Sequence, residues 1–196
     1  MLSHPDHLTT SRLLLRPYRD SDVEQILAYA TEEAWSRYLP VPVPYTRMDA
    51  EQFVSAMQAL DDLVHRAWAI VRDNVVVGGI NIRFLHEGRI GEMGWSVAPR
   101  LWGQGLATEA AQAVLDSAFT THRALVRVRA MADVRNVASQ RVMEKIGLRR
   151  EGTLRQNRLT RGELIDEVWY GVLRTEWEAR PAPHGDAAQA PHRSSP

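Results

Sequence analysis

The chain has 196 residues, enough for one domain with a substantial core. Hydrophobic residues make up 44% and charged residues 24%, and 24 Lys+Arg against 24 Asp+Glu leave a formal net charge of zero, which argues against broad electrostatic capture of nucleic acid. The absence of cysteine excludes disulfides, thiolate metal sites and a cysteine nucleophile; no apolar run approaches about 20 residues, so no membrane span is expected, and the opening segment lacks the apolar stretch of a signal peptide, so a cytoplasmic location is expected.

Residues 1–8 read as a flexible N-terminus, followed by a first strand over 13–16. Ser21-Asp22-Val23-Glu24 has the form of a capping box, and Val23, Ile26, Leu27 and Ala30 give the helix behind it one apolar face. Pro40, Pro42 and Pro44 impose an extended connection. Thr46-Arg47-Met48-Asp49 caps a second helix, with Phe53, Val54, Met57 and Leu60 as its expected buried stripe. Strands over 67–72 and 75–84 meet at the Asp73-Asn74 turn, and 86–89 turns the chain into a strand at 92–98. A helix then runs to about residue 119. In 125–132, Leu125, Arg127 and Arg129 alternate with Val126, Val128 and Ala130, as in a half-buried strand. Residues 134–146 read as a helix closed by Gly147, and two final strands lie near 149–159 and 164–173. The composition of 179–196 predicts a disordered tail. Strands that meander before helices cover them predict an α/β domain over 9–178 with a central mixed, mostly antiparallel sheet flanked by helices.

Residues 92–107 read Glu-Met-Gly-Trp-Ser-Val-Ala-Pro-Arg-Leu-Trp-Gly-Gln-Gly-Leu-Ala. Pro99 stops the strand, Gly103 and Gly105 remove Cβ at a turn, and a strongly helix-forming run follows. Free N–H groups and the positive dipole end of such a helix suit an anion. A P-loop would need Lys and then Ser or Thr after its second glycine, where Leu106 and Ala107 stand. A dinucleotide fingerprint would need a third glycine at Thr108. What remains is Arg100-x-x-Gly103-x-Gly105, either a plain strand–helix turn or a phosphate loop.

That pattern resembles the acyl-CoA loop of the GNAT (GCN5-related N-acetyltransferase) superfamily. Thr10-Ser11-Arg12-Leu13-Leu14-Leu15-Arg16-Pro17 resembles the opening of its RimJ/RimL-like ribosomal-protein N-terminal acetyltransferase branch. The segment from Asn136 and Ser139 to Lys145-Ile146-Gly147 is similar to that branch's Asn-x-x-Ser helix. Glu151-Gly152-Thr153-Leu154-Arg155 resembles its Glu-Gly-x-x-Arg strand, and Gly162 to Tyr170, with Asp166, its closing hairpin.

The resemblance implies a single GNAT-type domain whose sheet splays between 92–98 and 125–132 to hold the pantetheine arm. It implies acetyl-CoA as co-substrate, no metal, and direct attack by a primary amine, either a protein N-terminal α-amine or a small-molecule amine. The branch often forms homodimers, which would make a second copy of this chain a partner. Leu101, Gly103, Gln104, Gly105, Leu106 and Ala107 would cradle the diphosphate, with Arg100 adding a cationic contact or serving as a plain surface charge. Backbone groups of Trp95, Val97 and Ala98 would meet the thioester end. Asn136 would bind the pantetheine or serve as a helix N-cap.

Glu92 is the candidate base, or else a salt-bridged glutamate. Ser139 is the candidate proton donor to the leaving thiolate, or else bonds its own helix. Met143 stands where many members carry a tyrosine, and Arg158 where RimL-like enzymes carry a glutamate. Trp35, Tyr38 and Tyr45 would line the amine's approach, or simply pack; the segment from Trp35 to Met48 has arginines and no acid, which weighs against polyamines. Glu151 and Asp166 read as partners of Arg155 or Arg158, and His65, His86 and His122 as surface or core polar residues. Two other readings are a non-catalytic acyl-CoA-binding regulatory module and a transferase using a larger donor such as succinyl-CoA.

Overall fold

Alternate side chains of β3 (His65–Arg72), β4 (Val75–Leu85) and β5 (Ile90–Val97) point to opposite faces, and each face is covered by different helices. The computed structural model describes residues 5–180. On one face Trp68, Ile70, Ile80, Ile82, Met93 and Val97 form a core with Ala110, Ala111, Val114 and Leu115 of α4 (Leu106–Thr121). On the other, Ala69, Val71 and Val76 pack under Ile26 and Tyr29 of α1 (Val23–Ala30) and Ala50 and Val54 of α3 (Arg47–Gln58).

The remaining elements are β1 (Leu8–Thr9), β2 (Leu14–Arg16), α2 (Glu33–Ser36), β6 (Arg127–Asp133), α5 (Val137–Lys145), β7 (Arg149–Thr160), β8 (Glu163–Leu173) and α6 (Arg174–Glu178). They complete an eight-stranded sheet in the order β1-β2-β3-β4-β5-β6-β8-β7. Every neighbouring pair is antiparallel except β5 with β6. The mixed, mostly antiparallel α/β architecture is the expected one.

Several local expectations change. Ser21-x-x-Glu24 makes no capping box, because residues 20–22 form a short 3-10 turn. Asp22 is fully buried instead, takes both Arg16 guanidinium nitrogens at 2.7 and 2.8 Å, and accepts the Arg19 N–H. The Thr46–Asp49 box does form. Its helix buries Ala50 and Val54, whereas Phe53 is 36% exposed and Leu60 lies past the helix end. Asp6 pairs with Arg66 and Leu8 with Leu15, tying the segment before residue 9 to the sheet at two points. Residues 1–4 and the expected tail from 181 lie outside the described residues. Among those described, no helix is long and apolar enough to cross a membrane.

Candidate active site

The parallel pairing of β5 with β6 covers only Ile90↔Arg127, Gly91↔Val128 and Glu92↔Arg129. Beyond Glu92 the strands part, which is the expected splay. The Ala98 N–H bonds the Val77 carbonyl at 2.8 Å, which sets the phase of the antiparallel ladder with β4. By alternation, Met93, Trp95 and Val97 then turn their N–H and C=O groups toward the opening. Ala98 therefore departs from the expected role, because its N–H is spent on β4. The Val97 carbonyl accepts Trp102 Nε1 at 2.7 Å, which leaves its N–H for the gap.

Past Pro99 the chain makes a short turn with Arg100 exposed, then reaches Gly103 (φ 78°) and Gly105 (φ 77°), both left-handed. A Cβ on Gly103 would meet nothing within 4 Å, so the conformation calls for glycine here, not the space. Gly105 is the N-cap of α4 and contributes no side-chain cap, and Glu109 N–H is the first to bond back, to its carbonyl. The N–H groups of Gly105, Leu106, Ala107 and Thr108 are the orphans of the helix start. The N-terminal Thr10-Ser11-Arg12 run holds this corner. Thr10 Oγ1, Ser11 Oγ, and Arg12 through its N–H and Nε all donate to Glu109, while Arg12 Nη1 binds the Gln104 carbonyl.

Over β5, and reaching across the opening to Met131, Ala132 and Asp133 of β6, lies a cavity of about 550 Å³. Its floor is kept low by Ala67, Gly79, Gly94 and Ser96, and aromatic side chains from α1, α3 and the segment around α2 form its wall. Trp35, Tyr38 and Tyr45 all line it, together with Phe53, expected instead in the buried stripe of its helix, and with Tyr18 and Tyr29, which the sequence did not single out. Rings meet edge to face at Tyr29–Trp35 (5.7 Å), Trp35–Tyr45 (5.4 Å) and Tyr18–Phe53 (5.3 Å). The Arg161 guanidinium donates to the Ser36 carbonyl at 2.5 Å, and the Tyr38 hydroxyl to the Arg135 carbonyl at 3.3 Å, latching this wall to the far half of the sheet.

The charged residues of the cavity are mostly committed. Glu92 bridges Arg83 on one oxygen (2.5 Å) and Arg129 on the other (2.7 and 3.0 Å), which is the salt-bridged alternative for this residue. Asp133 is buried and held by Arg135, and Arg158 pairs with Glu167. Glu151 pairs with Arg127, and Asp166 accepts the Gln156 N–H, so neither partners Arg155 or Arg158. Asn136 is the N-cap of α5 and accepts the Ser139 N–H at 3.1 Å. Both still line the cavity, and the Ser139 hydroxyl has no hydrogen-bond partner among the described residues.

His65 faces the same space. Asn81 donates through Nδ2 to the Gly94 carbonyl, which turns its Oδ1 to His65 Nε2 at 3.2 Å. An amide oxygen only accepts, so Nε2 carries the hydrogen and Nδ1 keeps a lone pair. Its place at the head of β3, in register with Arg83 and hence with Glu92, comes from strand pairing and carried no signal in the sequence.

Residues 12–149 match the Acetyltransferase (GNAT) domain family. The chain is 34% identical over 172 residues to the protein named "Uncharacterized N-acetyltransferase YnaD" of Bacillus subtilis (strain 168), covering 87% of this chain and 99% of the relative. A GNAT-family acetyltransferase structure from Bacillus anthracis superposes with a TM-score of 0.79 at 31% identity, over 87% of this chain and 99% of that one. Mycobacterium smegmatis RimJ, solved with CoA-disulfide, shares the fold with a TM-score of 0.79 at 24% identity, over 90% of this chain and 91% of that one. The chain belongs to the GNAT acetyltransferase domain family and is an N-acetyltransferase.

Proposed function

We propose that the enzyme carries an acetyl group from acetyl-CoA to a primary amine by direct attack, as a member of the RimJ/RimL-like branch. One observation carries this reading: the opening between β5 and β6 runs into the aromatic cavity along Gly94 to Ser96 of β5, with Met131 to Asp133 of β6 on the far rim. The opening suits the coenzyme. Its free strand groups match a pantetheine amide chain, and the orphan N–H groups of Gly105 to Thr108, with exposed Arg100, match a diphosphate. The coenzyme supplies the activated thioester.

The chain's own groups do the rest. An N–H of Trp95 or Val97 polarises the acyl carbonyl, a donor whose loss typically costs ~10²–10³ in rate. The Ser139 hydroxyl, free to donate, serves the departing sulfur. Amines are protonated at neutral pH and must lose a proton before attack. Glu92 holds two guanidiniums, so we assign proton acceptance to the open Nδ1 of His65 and give Glu92 the task of joining β4 to β6.

Thiol release from acetyl-CoA and from succinyl-CoA, measured over an amine panel, tests the assignment. Turnover with acetyl-CoA is expected, and the absence of release with every amine of the panel would reject this acceptor assignment of the site. His65→Gln should lower kcat ~10²–10⁴-fold with acetyl-CoA affinity kept. Glu92→Gln should lower the melting temperature yet leave the shape of the pH–rate profile; loss of its acidic limb would return the base to Glu92.

A further inference from the structure

Four polar groups at the cavity wall lack protein partners. Tyr18, Tyr29 and Tyr45 are 6%, 4% and 8% exposed, and among the described residues none of their hydroxyls has a hydrogen-bond partner. Trp35, 9% exposed, has a buried Nε1 that is likewise unpaired. All four residues line the one cavity, and the edge-to-face chain Tyr29–Trp35–Tyr45 fixes three of them side by side. A buried polar atom without a partner, as Trp35 Nε1 is, is the exception in folded proteins and calls for one, and the three tyrosines beside it line the same open space. The fourth, Tyr18, places its hydroxyl over Gly79 on the floor, where a Cβ would lie 2.1 Å from it.

The chemistry these groups share is donation. Burial first, and the neighbouring phenols second, hold Tyr18 and Tyr29 well above the usual tyrosine range; burial and then Asp49 push Tyr45 up to about 12. All three stay neutral O–H donors, and an indole N–H can only donate. The carboxylates that face the cavity, Glu92 and Asp133, are taken by arginines, and Arg83 and Arg158 face it too. A second cationic centre would find no unpaired acid here, whereas an oxygen acceptor would meet several donors.

We propose that the acceptor is a small monoamine with an aromatic or apolar body whose far end bears a neutral oxygen acceptor, such as a carboxamide, bound by the Tyr18, Tyr29, Tyr45 and Trp35 donors. The proposal rests on the acceptor-site reading of the cavity and adds the substrate class. The apolar body fills the space between the rings, and the amine end points back along β5 toward Ser96, His65 and Ser139.

The test compares 4-(2-aminoethyl)benzamide with 2-(4-isopropylphenyl)ethylamine, which has the same shape without the oxygen, in wild type and in Tyr29→Phe, Tyr45→Phe and Tyr18→Phe. Wild type should favour the amide tenfold or more in kcat/KM, because a site built to donate rejects an analogue that cannot accept. Each Phe variant, with its ring retained, should shrink that ratio about three- to tenfold. Melting shifts of the same proteins with each amine, without acyl donor, read the preference independently of catalysis. A retained melting preference with no turnover would remove the transferase step and keep this inference. Equal handling of the two amines, a ratio untouched by all three variants, or stronger stabilisation by 2-aminoethyl-trimethylammonium would overturn it.

Discussion

A single missing Cβ decides where the Tyr18 ring lies. At Gly79 an added methyl would sit 2.1 Å from the Tyr18 hydroxyl oxygen but 3.5 Å from the ring carbon that bears it, an ordinary contact. Gly79→Ala should therefore cost about 1–3 kcal/mol of stability through overpacking. In a Tyr18→Phe background the same change should cost far less, because the offending atom is gone. Chemical denaturation of the four proteins in this double-mutant cycle gives the coupling directly; full cost in both backgrounds would place the strain elsewhere. At this scale the sequence was partly legible. The spacing of Gly103 and Gly105 marked the left-handed turn before α4, and the aromatic segment that holds Trp35 and Tyr45 stood out by composition. Glu92 and Asn136 were identified as residues, but their partners come from other strands or from the helix start: Arg83 and Arg129 for one, the Ser139 N–H for the other. Such pairings depend on register, which a single sequence does not display.

The wall segment from Trp35 to Tyr45 is an element held at its ends by others. Arg161, in the β7–β8 turn, grips the Ser36 and Leu39 carbonyls at 2.5 and 3.4 Å. A charged hydrogen bond of this kind is worth about 1.5–3 kcal/mol at most sites. Arg161→Ala should raise KM for the amine roughly three- to tenfold, leave kcat at saturation nearly unchanged, and speed amide exchange across 36–39. An unchanged KM would mean that the wall keeps its shape without the latch. Most elements were predictable because their periodicity is strong: β3 to β5 alternate, and α1 and α4 carry one apolar face each. β1 and α2 were missed because two or four residues show no period. The false Ser21 box arose because the competing partner of Asp22, Arg16, lies on a strand before the turn.

For the whole molecule, two carboxylates set the response to acid: partly buried Glu109, which ties the N-terminal run to α4, and buried Asp133, held by Arg135. Burial alone would raise Glu109, but hydrogen bonds from Thr10, Arg12 and Ser11 outweigh it and hold it below the usual range. Asp133 is likewise lowered, with Arg135 overcoming burial. A carboxyl depressed in the native state stabilises above its unfolded value and loses that contribution as pH falls through the native one. Stability from these two should be complete near pH 6 and decline below about pH 4. Urea midpoints at pH 6, 5 and 3.5 should show it, with Glu109→Gln flattening the decline; an unflattened decline would assign acid sensitivity to other groups. The overall architecture was legible from the order of strands and helices and from four motifs in sequence. The opening in the sheet came only through resemblance, since β5 and β6 carry no residue that announces where their ladder stops.

That stopping point makes the two halves of the sheet neighbours joined at one short seam, Ile90–Glu92 against Arg127–Arg129. Below the seam the strands are stitched, and above it their amides face water. A pantetheine arm threaded there would act as a ninth, borrowed strand, so the unladen enzyme is an unfinished sheet. Loading it should slow hydrogen exchange at Trp95 and Val97 more than anywhere else in β5, a footprint of repair visible before any amine arrives.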